Sequence, residues 1–244
     1  MRTLLIDSDI NAFKAAAAVE QAIDWGDGYM TWHVEVDDAI DHLEDQITEL
    51  KEKFEPDDMV FALTDEHNFR MDVLDTYKSN RKNVKRPLAL KAVKQYIEDT
   101  YTTYKRPGLE GDDVLGILST SNIFKGEKII VSIDKDMKTI PGKFVHRVDE
   151  GILDISEEEA DYWHMYQTLT GDATDGYKGC PGVGPVKAEK ILTSGPYWPK
   201  VVEAYDKAGF SEEEALVQAR CARILRSCDY DFKKKEVILW KPQQ

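Results

Sequence analysis

Ile40, Leu43, Ile47, Leu50 and Phe54 recur every three or four positions, the spacing of one face of an α-helix, and predict a helix from Asp37 to Phe54. Leu90, Val93, Ile97 and Tyr101 predict another. Asn11 to Ile23, alanine-rich in its middle, reads as a helix, followed by a turn at Trp25 to Tyr29. Three short runs rich in β-branched residues, Arg2 to Ile6, Met59 to Leu63 and Lys128 to Ile133, read as strands. Val114 to Leu118 carries a short apolar helix. Ser156 with Glu159, and Ser211 with Glu214, have the spacing of capping boxes; they open helices towards Thr170, where Gly171 stops the first, and towards Arg226. Pro185 suits a first helical position and starts a helix through about Leu192. A last strand is expected from Glu236 to Trp240. Strands alternating with helices predict an α/β fold with a mostly parallel central sheet, and the segment after about Ser156 is expected to pack against one side of it.

Each of the three strands ends in an aspartate: Asp7, Asp65 and Asp134. In a parallel sheet the carboxyl ends lie together on the edge that usually binds ligands. One strand-end aspartate is more often a helix cap or turn former; three in a row weaken that reading. Glu110, Asp112 and Asp113 stand at a helix start, Asp136 follows Asp134, and Asp172 and Asp175 follow a helix-ending glycine. Acids also favour helix N-termini for electrostatic reasons, which does not account for clustering on one edge. Packed carboxylates repel unless a cation compensates. Oxygen ligands without His/Cys spacing point to Mg²⁺ or Mn²⁺ and not zinc, and the number of acids would serve two ions suited to in-line phosphoryl displacement.

The chain has 244 residues and a formal net charge of −14, which argues against a nucleic-acid partner until its distribution is considered. From Lys78 to Arg106 there are nine Lys or Arg against Glu98 and Asp99 only. Such a run is either a solvated surface or the seat of an anionic partner. Cys180, Cys221 and Cys228 lack metal-ligand spacing and suit a reducing cytoplasm. No apolar stretch suits a bilayer span and no secretory signal is apparent, so no membrane is expected. Gly182-Val183-Gly184-Pro185, followed by Lys187 and Lys190, suits backbone approach to a phosphate at a helix start. Its place directly after Gly171 to Asp175 makes it more specific.

These motifs together resemble the flap endonuclease/5′-3′ exonuclease family, which includes bacteriophage 5′ exonucleases and the 5′-nuclease domain of bacterial DNA polymerase I. The resemblance runs from Leu4-Leu5-Ile6-Asp7 through Phe61 to Asp65, Phe69-Arg70, Tyr77 to Arg81, Glu110 to Asp113, Ser132 to Asp136, and Gly171-Asp172 to Ala188. It implies a PIN-like nuclease domain over 1–155, with a helical arch at about 66–108. A C-terminal helical region, 156–244, would carry a helix-three-turn-helix DNA grip at about 171–195. Asp7, Asp65, Glu110 and Asp112 would serve a first metal ion; Asp113, Asp134, Asp136, Asp172 and Asp175 would lie around a second. Lys78 would contact the scissile phosphate with Arg81 in support, and Lys14 matches a further basic position. Lys82, Lys85 and Arg86, with Gly182, Gly184, Lys187 and Lys190, would contact DNA, and the turn with Val183 would bind K⁺ through backbone carbonyls.

The implied substrate is DNA with a 5′ end or flap, or an RNA-DNA hybrid, cut by a free-standing monomer in a bacterial or phage-infected cytoplasm. Two features depart from the family pattern. Ser8-Asp9 follows the first aspartate, where Asp9 is expected as a helix cap in preference to an extra metal-site acid. Gly176-Tyr177-Lys178-Gly179-Cys180 replaces the usual approach to the hairpin. Trp25, Tyr29 and Trp32 are expected to pack in the core or in loops, with base stacking as the other reading. Two alternatives remain at this stage. One is a haloacid-dehalogenase-like phosphatase with Asp7 as nucleophile; the other is a catalytically silent DNA-binding relative.

Overall fold

The computed structural model describes residues 1–81, 84–195 and 197–242. In chain order its elements are β1 (Arg2–Asp7), α1 (Ser8–Ala18), β2 (Gln21–Asp24), β3 (Met30–His33), α2 (Val36–Phe54), β4 (Asp58–Ala62), α3 (Arg70–Val73), α4 (Leu90–Thr100) and β5 (Thr103–Tyr104). They continue with α5 (Gly111–Thr120), β6 (Glu127–Val131), β7 (Gly142–Val145), β8 (Leu153–Ile155), α6 (Glu157–Thr170), α7 (Pro185–Ile191), α8 (Tyr197–Lys207), α9 (Glu212–Ala222), β9 (Tyr230–Asp231) and β10 (Glu236–Val237).

The central sheet has the order β5-β4-β1-β6-β7-β8, parallel throughout except for β8. β1 is an interior strand in which Leu4, Leu5 and Ile6 are all fully buried. A strand apolar on both faces needs cover on both sides. Leu4 and Ile6 pack with Ala12, Ala15 and Ala16 of α1, with Leu43 and Ile47 of α2, and with Val93 and Ile97 of α4. Leu5 packs on the other face with Leu115 and Leu118 of α5, together with Ile224 and Leu225. The helices α6 to α9 share a further apolar cluster around Leu169, Ala188, Val201, Tyr205 and Ala215. Both predicted capping boxes form, at Ser156 with Glu159 and at Ser211 with Glu214.

Four expectations need correction. The helix read from Asn11 to Ile23 ends at Ala18, and Gln21–Asp24 pairs antiparallel with Met30–His33. The turn between them uses left-handed backbone at Gly26, Asp27 and Gly28 in succession, a conformation that glycine tolerates best; cross-strand pairing thus overrides the helical pattern. Trp25 and Tyr29 are not core residues: they are 69% and 76% exposed on this hairpin. Trp32 lies beneath the Lys85 ammonium, 3.0 Å from its ring centre. The final strand shrinks to Glu236–Val237, paired only with Tyr230–Asp231 outside the main sheet.

Asp9 is not the cap of α1. Asp7 fills that position, accepting from the Ile10 amide, while Asp9 accepts from the Thr64 amide at 2.9 Å and pairs with Lys94 of α4. At the far end of α1, Glu20 takes the Lys85 ammonium and the Leu88 amide. These contacts hold α1 and α4 antiparallel, with Lys85 and Leu88 at the end of α1 remote from Asp7.

Candidate active site

Asp7 ends β1 and Asp134 follows β6, its parallel neighbour, in which Val131 lies opposite Ile6. The register delivers both to one edge, and Ser132 joins them. Its hydroxyl donates to Asp7 Oδ2 at 2.6 Å and accepts from the Asp134 amide at 3.0 Å. Asp134 in turn accepts from the Asp136 amide at 2.8 Å, closing a tight turn. Asp112 reaches the same edge from the first turn of α5.

Their ionisation reports the crowding. Burial pushes Asp7 up to about 6, against the Ser132 hydrogen bond and reinforced by the charges of Asp9 and Asp134. Burial raises Asp112 well above the usual carboxylate range, with Asp7, Glu110 and Asp134 adding to the rise. Burial likewise raises Asp136 to about 7, helped by Asp134, Asp172 and Asp175. Asp136 Oδ1 is buried without a hydrogen-bond partner, an arrangement that costs free energy unless a donor or cation arrives.

A second group adjoins the first. Glu110, the cap of α5, accepts from Tyr77 Oη at 3.0 Å and pairs with Lys78. Burial would raise its pKa, but Arg70 and Lys78 hold it below the usual value. Lys78 also lies 3.6 Å from Asp175, and these two acids overcome burial to keep it firmly protonated. Asp175 accepts from Arg81 at 2.6 Å and from Tyr77 at 3.0 Å; burial nevertheless raises its pKa, with Glu110 adding to the rise and Lys78 opposing it. The loop 171–179 docks here through the Lys78 amide, which donates to the Asp175 carbonyl at 2.8 Å. Gly176 permits that approach, because a Cβ there would lie 2.6 Å from the Thr76 carbonyl oxygen. The departure from the family pattern at Gly176 and Tyr177 thus has a local reason, with Tyr177 stacked on Tyr77.

Other candidates are placed differently. Asp65 accepts from the Gly108 amide at 3.0 Å, which holds its pKa low. Asp113 is fully buried, and both of its oxygens are engaged by Arg70 at 2.7 Å. Asp172 accepts from the amides of Thr174 and Asp175, and its charge is felt at Asp136. Lys14 is exposed on α1, about two turns beyond Asp7. Lys85 is spent on Glu20 and Trp32, Arg86 is exposed, and Lys82 lies outside the described residues. In the glycine turn, Gly182 has left-handed backbone and Val183 is buried. Lys187 and Lys190 are exposed on α7, with Lys187 reaching the Gly182 carbonyl at 3.3 Å. Of the region 66–108, α4 and β5 are packed into the main fold.

Sequence reading singled out neither Ser132 nor Arg70 for a role. Ser132 carries the weak signal of a hydroxyl just past a strand, and Arg70 that of a lone cation between Phe69 and Met71.

Among the described residues, no three His, Cys, Asp or Glu side chains converge as a ready-made ligand sphere. The donor chemistry still fits a hard divalent cation: all candidates are carboxylate oxygens, four have raised pKa values, and one buried oxygen lacks a partner. Mg²⁺ commonly takes only one or two carboxylates and completes its shell with water and substrate phosphate.

Comparison with known proteins accords with this geometry. The family model for the 5′-3′ exonuclease N-terminal resolvase-like domain matches residues 2–166. The exonuclease of Escherichia phage T7 is 34% identical over 283 aligned residues, covering 98% of this chain and 93% of that protein. Flap endonuclease Xni of Vibrio campbellii is 33% identical over 206, covering 71% of this chain and 75% of that protein. Among solved structures, a bacteriophage T5 flap endonuclease complex with DNA and metal ions superposes with a TM-score of 0.66 at 14% identity, covering 90% of this chain and 88% of that one. The catalytic core of Rad2 in complex with DNA gives 0.52 at 13%, covering 85% and 64%. At such identities the structural likeness speaks for the fold alone, a mostly parallel α/β domain of the resolvase-like PIN type. The family match removes the phosphatase alternative, since it assigns the aspartate-ended strands to a nuclease scaffold; the chain belongs to the 5′-3′ exonuclease family and is a 5′ nuclease enzyme.

Proposed function

We propose that this enzyme hydrolyses DNA phosphodiester bonds near a 5′ end or flap with two divalent metal ions, Mg²⁺ or Mn²⁺. The observation that carries the reading is the convergence at one sheet edge of Asp7 and Asp134, joined through Ser132, with Asp136 hydrogen-bonded to Asp134 and Asp112 close enough to feel the charges of Asp7, Asp134 and Lys78. Asp7, Glu110, Asp112 and Asp134 would hold one ion; Asp134, Asp136, Asp172 and Asp175 would hold the other, in part through water. Asp65 and Asp113, whose oxygens are engaged elsewhere, stand outside this set. When bound, the cations would neutralise the acids and supply the Lewis-acid chemistry of in-line phosphoryl displacement. The T5 relative crystallised with DNA and metal ions supports the pairing of cofactor and substrate.

The chain's own groups do the rest. Lys78 carries a fixed positive charge at the edge, suited to the charge that develops on the reacting phosphate. Its left-handed backbone, with φ of 50°, is held by the Asp175 carbonyl and keeps the ammonium aimed inward. The Tyr77 hydroxyl lies 3.0 Å from both Glu110 and Asp175 and shares its one hydrogen between them, tying the two acid groups together. Arg81 backs Asp175, while Lys14, Lys82 and Arg86 would line the path of the strand. The arch would lie within about 66–108, outside α4 and β5, which are packed into the main fold. The turn at Gly182 and Gly184, with Lys187 and Lys190, would grip the duplex backbone as a helix-three-turn-helix element at 171–195, and the Val183 carbonyl would help to hold K⁺. The acting species would be a cytoplasmic monomer, with RNA-DNA hybrids as a second substrate.

The test is release of 5′-labelled product from a 5′-flap duplex by the purified chain in Mg²⁺, with EDTA as control and nicked and blunt duplexes alongside. Cleavage that persists in EDTA, or its absence on all three substrates in Mg²⁺ and Mn²⁺, would refute the proposal.

A further inference from the structure

Arg70 is the largest fully buried side chain among the described residues, 2% exposed, and every arm of its guanidinium is engaged. Nη1 donates to Asp113 at 2.7 Å and to Glu110 at 3.2 Å. Nη2 donates to the other Asp113 oxygen at 2.7 Å and to the Arg223 carbonyl. Nε donates to the Cys221 carbonyl at 3.0 Å. Asp113 is filled just as completely. Beyond Arg70 it accepts from the Glu110 amide and from the Leu225 amide, each at 3.1 Å. Backbone contact seals the junction, since a Cβ on Gly116 of α5 would lie 2.3 Å from the Leu225 carbonyl oxygen.

Three distant stretches therefore meet at one ion pair: the segment leading to Lys78, the cap of α5, and the chain just beyond α9. The last lies outside residues 2–166, which the family model covers. We propose that Arg70 and Asp113 form a positioning unit that aims Glu110 at the catalytic edge and makes the segment 221–225 part of the active-site scaffold. Arg70 touches no substrate. It presents the Glu110 carboxylate through one Nη1 hydrogen bond and fixes the start of α5, and with it Asp112, through Asp113. A lysine cannot reproduce this fork of donors. The inference rests on the metal-nuclease reading for what Glu110 and Asp112 do, but not for the coupling itself.

The test uses the full-length chain and Arg70→Lys. In isothermal titration, Mg²⁺ affinity should fall about 10- to 100-fold, the range for lost outer-shell support of a metal site. In single-turnover cleavage of a 5′-flap duplex at saturating Mg²⁺, the rate per folded molecule should drop about 10²-fold, with the DNA KM nearly unchanged. Asp113→Asn should produce the same shifts, and the double variant should be no worse than either single one, since the pair acts as a unit. A lowered melting temperature with wild-type Mg²⁺ affinity and rate would reduce Arg70 to a purely structural residue. Additive losses in the double variant would make Asp113 an independent contributor and overturn the unit.

Should neither variant fold, hydrogen exchange on the wild type decides. Added Mg²⁺ should protect the amides of 221–226 together with those of 110–113, and no protection of 221–226 would sever the proposed coupling. If the wild type fails to cleave in any metal, the nuclease reading fails, while the affinity and exchange measurements still judge Arg70.

Discussion

Two buried acidic regions lie within one turn of α5, and they meet their charge in opposite ways. Asp113 is matched inside the fold by a bidentate guanidinium and two backbone amides. Asp112, its chain neighbour, faces Asp7, Glu110 and Asp134, and is pushed towards protonation by burial and by their charge. A carboxylate with an internal cation is structural, because removing either partner leaves a buried charge alone. Carboxylates that face one another cost stability until something external arrives. The contrast separates scaffold from machinery more sharply than acidity itself, since Asp112 and Asp113 are chain neighbours of the same residue type.

The largest effect should come from the uncompensated side. Asp134→Asn should slow single-turnover flap cleavage about 10³-fold, the loss expected when a charge-stabilising group is removed, while gel-shift affinity for DNA stays close to wild type. Undiminished cleavage would take Asp134 out of the site. Next comes a pair of opposite sign in metal-free protein. Asp113→Asn should lower stability by about 3 kcal/mol, since Arg70 is left with half its partner; Asp136→Asn should raise it by about 1 kcal/mol by relieving repulsion. Denaturant titration in EDTA measures both, and shifts of the same sign would erase the distinction.

Lys78→Ala tests whether the cation beside the acids belongs to the machinery. Its single-turnover rate should fall about 10²-fold with a smaller change in binding, and a rate equal to wild type would confine Lys78 to a structural pairing with Glu110. The smallest effect concerns a buried group on the compensated side. His164 donates to the Ala219 carbonyl at 2.8 Å, and burial, with Arg223 and Arg226 nearby, holds its pKa well below the usual 6.5. A folded-state pKa below the unfolded one means that the neutral ring contributes stability above pH 6.5, lost as the pH falls below it. The expected slope is about 1.4 kcal/mol per pH unit. His164→Gln should flatten it, and an unaltered slope in that variant would sink the assignment.

Much of this was legible in the sequence. The three strands, the helices α2, α4 and α6, both capping boxes and the strand-end aspartates follow from spacing within a few residues, and the family resemblance agrees with the family match. Where the pattern misled, pairing between neighbouring segments had the stronger claim, as in Gln21–Asp24, which an alanine-rich run disguises as helix. Charge compensation was not legible at all. Asp65 and Asp7 look alike at their strand ends, yet one is absorbed by the Gly108 amide and the other is held by Ser132 from 125 residues away.

The sequence by itself determined the longer amphipathic helices, the three apolar strands and the acids that follow them, because periodicity, caps and turns are interactions between residues close along the chain. Only the tertiary structure decided which acids are silenced and which are left crowded. That depends on what the fold brings within hydrogen-bond reach across the chain, as it brings Arg70 to Asp113 and Leu225 to the same carboxylate from 112 residues away.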